Sequence, residues 1–253
     1  MLIKELWHYP IKGLGGSLID LAILETGGYF PNDRQFAIST GHAKTANAAA
    51  GTWQKKAFFL QLMTDETLAD YSCQFIPDGA VKGLHVTHRD GSVNHFDPSK
   101  PEDCTRLEDF FAARLEARFS GHPRLMQMDQ QAYSDQSSPL ISIASDASLN
   151  TFAKATGTIA DNRRFRINVI ISADQPFAEA DLIGKTVRCG TALLAIKAPV
   201  GRCAAINVNP DTAQLGPDYV AFMRAHFGHS NLGVFAEIID GGTIKSGDQL
   251  IVT

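Results

Sequence analysis

Short β-forming runs, broken every few residues by Gly, Pro, Asn or Asp, follow one another along almost the whole of the 253-residue chain. That punctuation confines the fold to sheets of short strands joined by tight turns. Residues 2–9 and 17–24 read as the first two strands, separated by Pro10 and a turn containing Gly13, Gly15 and Gly16. Residues 35–39 follow, and Asp90-Gly91 between residues 85–88 and 92–96 is a hairpin signal. Further strands are predicted at 140–144, 167–171, 186–189, 193–197, 204–208, 234–239 and 249–252. Helical spacing occurs in three places. Residues 102–119 place Leu107, Phe110, Phe111, Leu115 and Phe119 on one face, Asp146 caps a helix ending near Gly157, and residues 218–227 align Val220, Met223 and Phe227. Many strands with scattered helices imply a mainly β, α+β chain of barrels or sandwiches. A boundary near Gly121-His122-Pro123 divides it into 1–122 and 123–253, and the small-residue stretch 46–51 reads as a loop.

Composition narrows the class. Hydrophobic residues at 44% and charged residues at 20% suit a globular protein with a real core. A formal net charge of −4 argues against a dedicated nucleic-acid binder. The longest apolar stretches, 57–63 and 167–173, fall short of the roughly 18–20 residues of a bilayer helix, and the opening residues carry no apolar signal core. The four cysteines lack any C-x-x-C, which points to reduced thiols in the cytoplasm rather than a disulfide framework or structural zinc. The eight histidines form no H-E-x-x-H, and His85 and His88 face opposite sides of a regular strand.

Chemistry concentrates elsewhere. Cys203 follows Pro199, Gly201 and Arg202 at the predicted entrance of a strand, where Arg202 favours thiolate. Local context alone favours a buried structural thiol, burial being the common fate of free cysteine. Arg163, Arg164 and Arg166 crowd before an apolar strand, either as an oxyanion clamp or as a solvated turn. Strand alternation would put Arg164 and Arg166 on the same side. Lys12 before the Gly-rich turn, and Arg34 after Asn32-Asp33, are further anion ligands or plain surface charges. Gly13-x-Gly15-Gly16 is neither a dinucleotide fingerprint nor a P-loop. The residues alone describe an anion pocket with one thiol.

In order along the chain, several short motifs resemble those of the MOSC superfamily, the domain related to the C-terminal part of molybdenum-cofactor sulfurases. They are Tyr9-Pro-Ile-Lys12, Asp33-Arg34, the segment 138–149 with Ser145, and Phe165-Arg166-Ile-Asn168. Arg202-Cys203 followed by Asn209-Pro-Asp-Thr, and a closing Gly242-Thr-Ile-Lys-Ser-Gly-Asp248, complete the series. The chain is most similar to the branch with an N-terminal β-barrel domain, which includes the amidoxime-reducing components. It departs from that pattern at Gly13 (usually Ser), Ile167 (usually Pro) and Ala213 (usually Gly).

The resemblance implies two interlocked β-barrel domains, the second a MOSC barrel with peripheral helices, and a site between them. It implies a molybdopterin-type molybdenum cofactor with Cys203 as the catalytic thiolate and metal ligand. Lys12, Gly13, Arg34, Ser145, Arg166, Asn168 and Arg202 become its cofactor-binding residues. The implied reaction is reduction of small N-hydroxylated compounds. Electrons would come from a separate ferredoxin, flavodoxin or haem protein, since no dinucleotide, flavin or iron–sulfur motif is visible and the run after Asp248 leaves no room for the ferredoxin domain of some relatives. The alternatives are sulfur transfer through a Cys203 persulfide and a non-enzymatic cofactor carrier.

Overall fold

The computed structural model describes residues 1–42, 54, 56–80, 82–115, 118–129, 131–136 and 138–253; the stretch 46–51 lies outside them. The first half supplies β1 (Ile3–His8), β2 (Ser17–Ile19), β3 (Leu21–Leu24) and β4 (Phe36–Ile38), then β5 (Tyr71–Ile76), β6 (Gly83–His88) and β7 (Val93–Phe96). Helix α1 (Pro101–Ala112) and β8 (Leu125–Gln127) lead into the second half. There β9 (Ile141–Ser145), α2 (Asp146–Thr156), α3 (Asn162–Phe165) and β10 (Val169–Ile171) precede β11 (Thr186–Cys189) and β12 (Ala192–Gly201). The chain closes with α4 (Tyr219–Phe227), β13 (Asn231–Asp240), β14 (Gly242–Lys245) and β15 (Leu250–Val252). The result is a mostly-sheet α+β fold.

The main sheet runs β15-β11-β12-β13-β9-β10-β1-β2, antiparallel except for β9 and β10. The first strands therefore pair into the second half of the chain: Leu6 of β1 lies opposite Val169, and β3 pairs with β14. Inward alternation along β13 buries Leu232, Val234, Ala236 and Ile238. Most of these join Leu6, Ile143, Val169 and Leu194 in the main core. On the outer face, α2 and α4 cover the sheet through Leu149, Phe152 and Met223. Sheet β5-β6-β7 and α1 build a separate core around Leu84, Val86, Leu107 and Phe111.

Two interlocked barrels were the expectation, and no closed barrel forms among the described residues. The β4–β8 pair and the three-stranded sheet have too few strands to close. The two ends of the main sheet meet where Leu2 bridges Gln249 and a few backbone bonds join residues 1–3 to 247–250, without a continuous ladder among the described residues. Several predicted elements also shift. The run 17–24 breaks at Asp20 into two strands with different partners. Helix α1 stops at Ala112. Residues 204–208 give a short 3-10 turn, closed by Ile206 N–H to the Cys203 carbonyl at 3.2 Å, where a strand was expected. Strands β5, β8 and β14 had not been foreseen.

His8 ends β1 opposite Ser17, only 2% exposed, with its Nε2 2.8 Å from the Ser17 hydroxyl. Burial pushes its pKa down from 6.5 to about 4, against the opposing pull of Asp33. The native state thus refuses a proton that the unfolded chain accepts. The contribution is whole above pH 6.5 and is lost as pH falls toward 4, about 3 kcal/mol in all. Urea titrations at pH 7 and 4.5 should show the wild type losing more stability than His8→Gln over that interval. Equal losses would mean that His8 is not held neutral.

Candidate functional site

Four separate stretches meet at one cavity of about 200 Å³. The turn after β1 brings Lys12, whose N–H donates to the Phe36 carbonyl at 2.8 Å. Gly13 follows at φ +91°, and a Cβ there would lie 2.9 Å from the Leu60 carbonyl oxygen. A serine here would therefore be strained on this backbone. The Asp33-Arg34 turn is fixed by two bonds to Tyr9: Arg34 N–H donates to the Tyr9 carbonyl at 2.7 Å, and Tyr9 N–H donates to the Asp33 carboxylate at 2.9 Å. Arg166 caps α3, which starts because Asp161 accepts the Arg163 N–H. Arg202 and Cys203 emerge as β12 ends, with Arg202 N–H on the Ser230 carbonyl at 2.8 Å.

Arg34 and Arg166 both sit in the left-handed region, at φ 51° and 58°. Non-glycine residues hold such values at a cost of about 1 kcal/mol or more, and they cluster at functional sites. The strand alternation expected across 161–166 fails because this segment is a helical turn. Arg164 nevertheless lines the same cavity, its Nη1 donating to the Ile206 and Val208 carbonyls at 2.7 and 2.9 Å.

The cations are held mainly by dipoles. Arg34 Nη2 donates to the Arg166 carbonyl at 3.2 Å, Arg166 to the Leu14 carbonyl, Arg202 Nη1 to the Phe165 carbonyl at 2.8 Å, and Lys12 Nζ to the Tyr133 carbonyl at 2.8 Å. Every one of the four guanidinium groups also lies over an aromatic face. Arg34 and Arg166 share Tyr9 at 5.2 and 4.8 Å, Arg164 covers Tyr219 at 5.2 Å, and Arg202 covers Phe165 at 5.9 Å. Carboxylates are fewer: Asp33 pairs with Arg34, and Asp135 takes Lys12 Nζ at 2.7 Å. Five cationic side chains thus face two carboxylates across the described lining.

Burial makes that excess costly. It pulls Arg166 down to about 10, with Arg34 adding repulsion, and pulls Arg202 to about 10 as well. It lowers Lys12 too, though Asp135 opposes it. For Arg34, burial is more than offset by Asp33, and the net direction is upward. Arg202 Nη2 and Arg164 Nε are buried with no hydrogen-bond partner among the described residues. The described residues leave both donors unsatisfied.

Cys203 lines the cavity, half-buried, within electrostatic reach of Arg202. It follows a strand and caps a 3-10 turn, where a strand entrance had been expected. Cys73 and Cys189 are core thiols, and burial pushes Cys189 up to about 12. Cys104 lies near Pro98, its pKa raised by burial and then by acidic neighbours. Asn168 reaches the wall, yet its side chain is engaged with Ser142 and with the Trp7 carbonyl. Ser145 is not among the lining residues; its hydroxyl caps α2 and donates to Glu179 at 2.6 Å. Tyr9, Asp33, Arg164 and Asp135 were not among the predicted site residues. The arginine-rich run signalled Arg164, and nothing local signalled Asp135.

Residues 130–251 match the MOSC domain family, and the chain carries a MOSC domain there. The family is linked to molybdenum-cofactor binding. Among solved structures, YiiM from Geobacillus stearothermophilus aligns at 18% identity and a TM-score of 0.37, over 45% of this chain and 53% of that one. YiiM from Escherichia coli aligns at 18% and 0.35 over the same shares. The chain thus spans about half the length of the YiiM proteins. The YUAD protein from Bacillus subtilis aligns at 16% and 0.46, over 100% of this chain and 96% of that one. No curated protein matches the sequence. Among the described residues, no helix is long and apolar enough to cross a membrane.

Two outcomes follow from this geometry. Iodoacetamide added to native protein should label Cys203 first and Cys104 more slowly, sparing Cys73 and Cys189 until the chain unfolds, as read by peptide mapping. Asp135, with a side chain 48% exposed, occupies the ammonium of Lys12. Replacing it with Asn frees that charge, and inorganic phosphate should bind about fivefold more tightly by calorimetry, the equivalent of about 1 kcal/mol for a solvent-screened pair.

Proposed function

We propose that the chain holds a molybdopterin-type molybdenum cofactor and reduces small N-hydroxylated compounds with electrons delivered by a separate protein. The observation that supports this reading is the cavity itself: buried cations stabilised mostly by carbonyls and rings, beside one accessible thiol. That donor set fits a group with an oxyanion at one end and a soft metal at the other. The unpartnered Arg202 Nη2 adds buried positive charge that an anion would offset.

In this reading Lys12, Arg34 and Arg166 take the phosphate, and Arg202 the polar pterin edge. Arg164 adds positive potential from behind. Cys203 holds the metal through its thiolate. When bound, the cofactor supplies a two-electron couple and a seat for the oxygen that leaves as water. The protein's part is to orient the cofactor and to fix its charges in advance, so that little reorganisation is needed at turnover. The electrons enter from a ferredoxin, flavodoxin or haem-protein donor docking at the cavity mouth.

Protein expressed with molybdate in a cofactor-competent host should carry near-stoichiometric molybdenum. It should turn over an N-hydroxylated amidine with reduced viologen and be inert with NADH alone. Cys203→Ser should keep its fold and lose turnover at least a hundredfold. Metal-free protein carrying a labile sulfur on Cys203 would assign a sulfur carrier instead. A full molybdenum load with no turnover under strong reductant would leave a cofactor carrier.

A further inference from the structure

We infer that Tyr9 is the positioning residue of the anion cavity: its buried ring holds the guanidinium groups of Arg34 and Arg166 together before any ligand arrives. The inference rests on the cavity being an anion site and adds the device that makes a two-arginine clamp possible.

Two guanidinium groups brought to one wall repel each other, and only Arg34 has an adjacent carboxylate, Asp33. Arg166 has none among the ion pairs of the described residues; it has one backbone carbonyl and the Tyr9 ring. A ring face carries negative potential, and its attraction for a cation grows when water is excluded. Tyr9 is wholly buried, so that condition holds.

Both arginines lie within the range of that attraction, at 5.2 and 4.8 Å from the ring centre. The ring is itself fixed. Its main chain exchanges bonds with the Asp33-Arg34 turn. Its hydroxyl accepts a bond from Asn162 Nδ2 at 3.3 Å, and Asn162 also accepts the Ile167 N–H at 3.1 Å. Tyr9 thereby connects the Arg34 turn to the α3–β10 turn that carries Arg166. Trp7 stacks on it at 6.3 Å and 15°. Both arginines also hold left-handed backbone, which the surrounding contacts must maintain.

The test uses full-length, cofactor-free protein and inorganic phosphate, with affinity read by calorimetry and folding by thermal melting. Tyr9→Leu removes the ring and should weaken phosphate binding at least tenfold. Tyr9→Phe keeps the ring face, loses only the hydroxyl, and should stay within about twofold of wild type. Leu84→Ala, in the separate N-terminal core, should lower the melting temperature without changing affinity. If folded Tyr9→Leu binds as wild type does, or Tyr9→Phe falls as far as Tyr9→Leu, the ring is not the positioning element. Equal loss from Leu84→Ala would reduce the effect to general stability and overturn the assignment. A wild type that binds no phosphate, with Arg34→Ala and Arg166→Ala changing nothing, would instead sink the anion-site reading beneath it.

Discussion

Buried positive charge without matching negative charge is the constraint around which the fold is arranged. A carboxylate for every cation would have been simpler to bury, but it would have left nothing for a ligand to neutralise. The chain uses carbonyl dipoles and ring faces in their place. Leu14, Phe165, Ile206, Val208 and Tyr133 all give their carbonyls to cavity cations. A dipole lowers the cost of burial while leaving the net charge in place. The unpartnered donor on Arg202 is what that arrangement leaves over.

The same constraint accounts for the topology. Lys12 and Arg34 belong to the start of the chain, whereas Arg166 and Cys203 belong to the second half. Pairing β1 with β10 brings them together, and the register of that pairing decides whether Tyr9 reaches Arg166. Asn168 stabilises the register: it accepts from the Ser142 N–H and hydroxyl, donates to the Trp7 carbonyl, and through its own carbonyl receives the Trp7 N–H. Its position beside the cavity follows from this work in the sheet. Ser145 is a parallel case, a cap whose hydroxyl serves α2 and Glu179.

The parts of this structure written in local chemistry could be read from the sequence. The helices ending at Gly157 and Gly228 stand where the residues imply, although the first is capped by Ser145, one residue before the expected Asp146. Lys12, Gly13, Arg34, Arg166, Arg202 and Cys203 were picked out individually, and the structure lines one cavity with all six. The elements that sequence missed depend on distant partners. Asp20 divides one apparent strand because Ser17–Ile19 belongs to β1 while Leu21–Leu24 belongs to β14, and periodicity cannot see that change of partner. The turn at 204–207 was misread because Ile206 and Val208 have the apolar spacing of a strand, although their carbonyls are spent on Arg164. Tyr9 looked like part of a motif, and only the packing reveals two arginines upon it.

An arrangement of this kind also ties the site to stability. Arg34 and Arg166 hold backbone angles that cost energy, and burial depresses the pKa of Arg166 and Arg202 toward about 10. Each of these counts against folding. An anion that binds only the folded chain relieves these costs together and stabilises the fold by mass action. Asp135 already does so in part, since its carboxylate satisfies Lys12 from a segment that enters no strand of the sheets. The incoming anion must then outcompete a carboxylate tethered in place. On the proposed reading, an oxyanion that takes the place of this carboxylate gains over it only through the cations Asp135 does not pair with, Arg34 and Arg166 foremost.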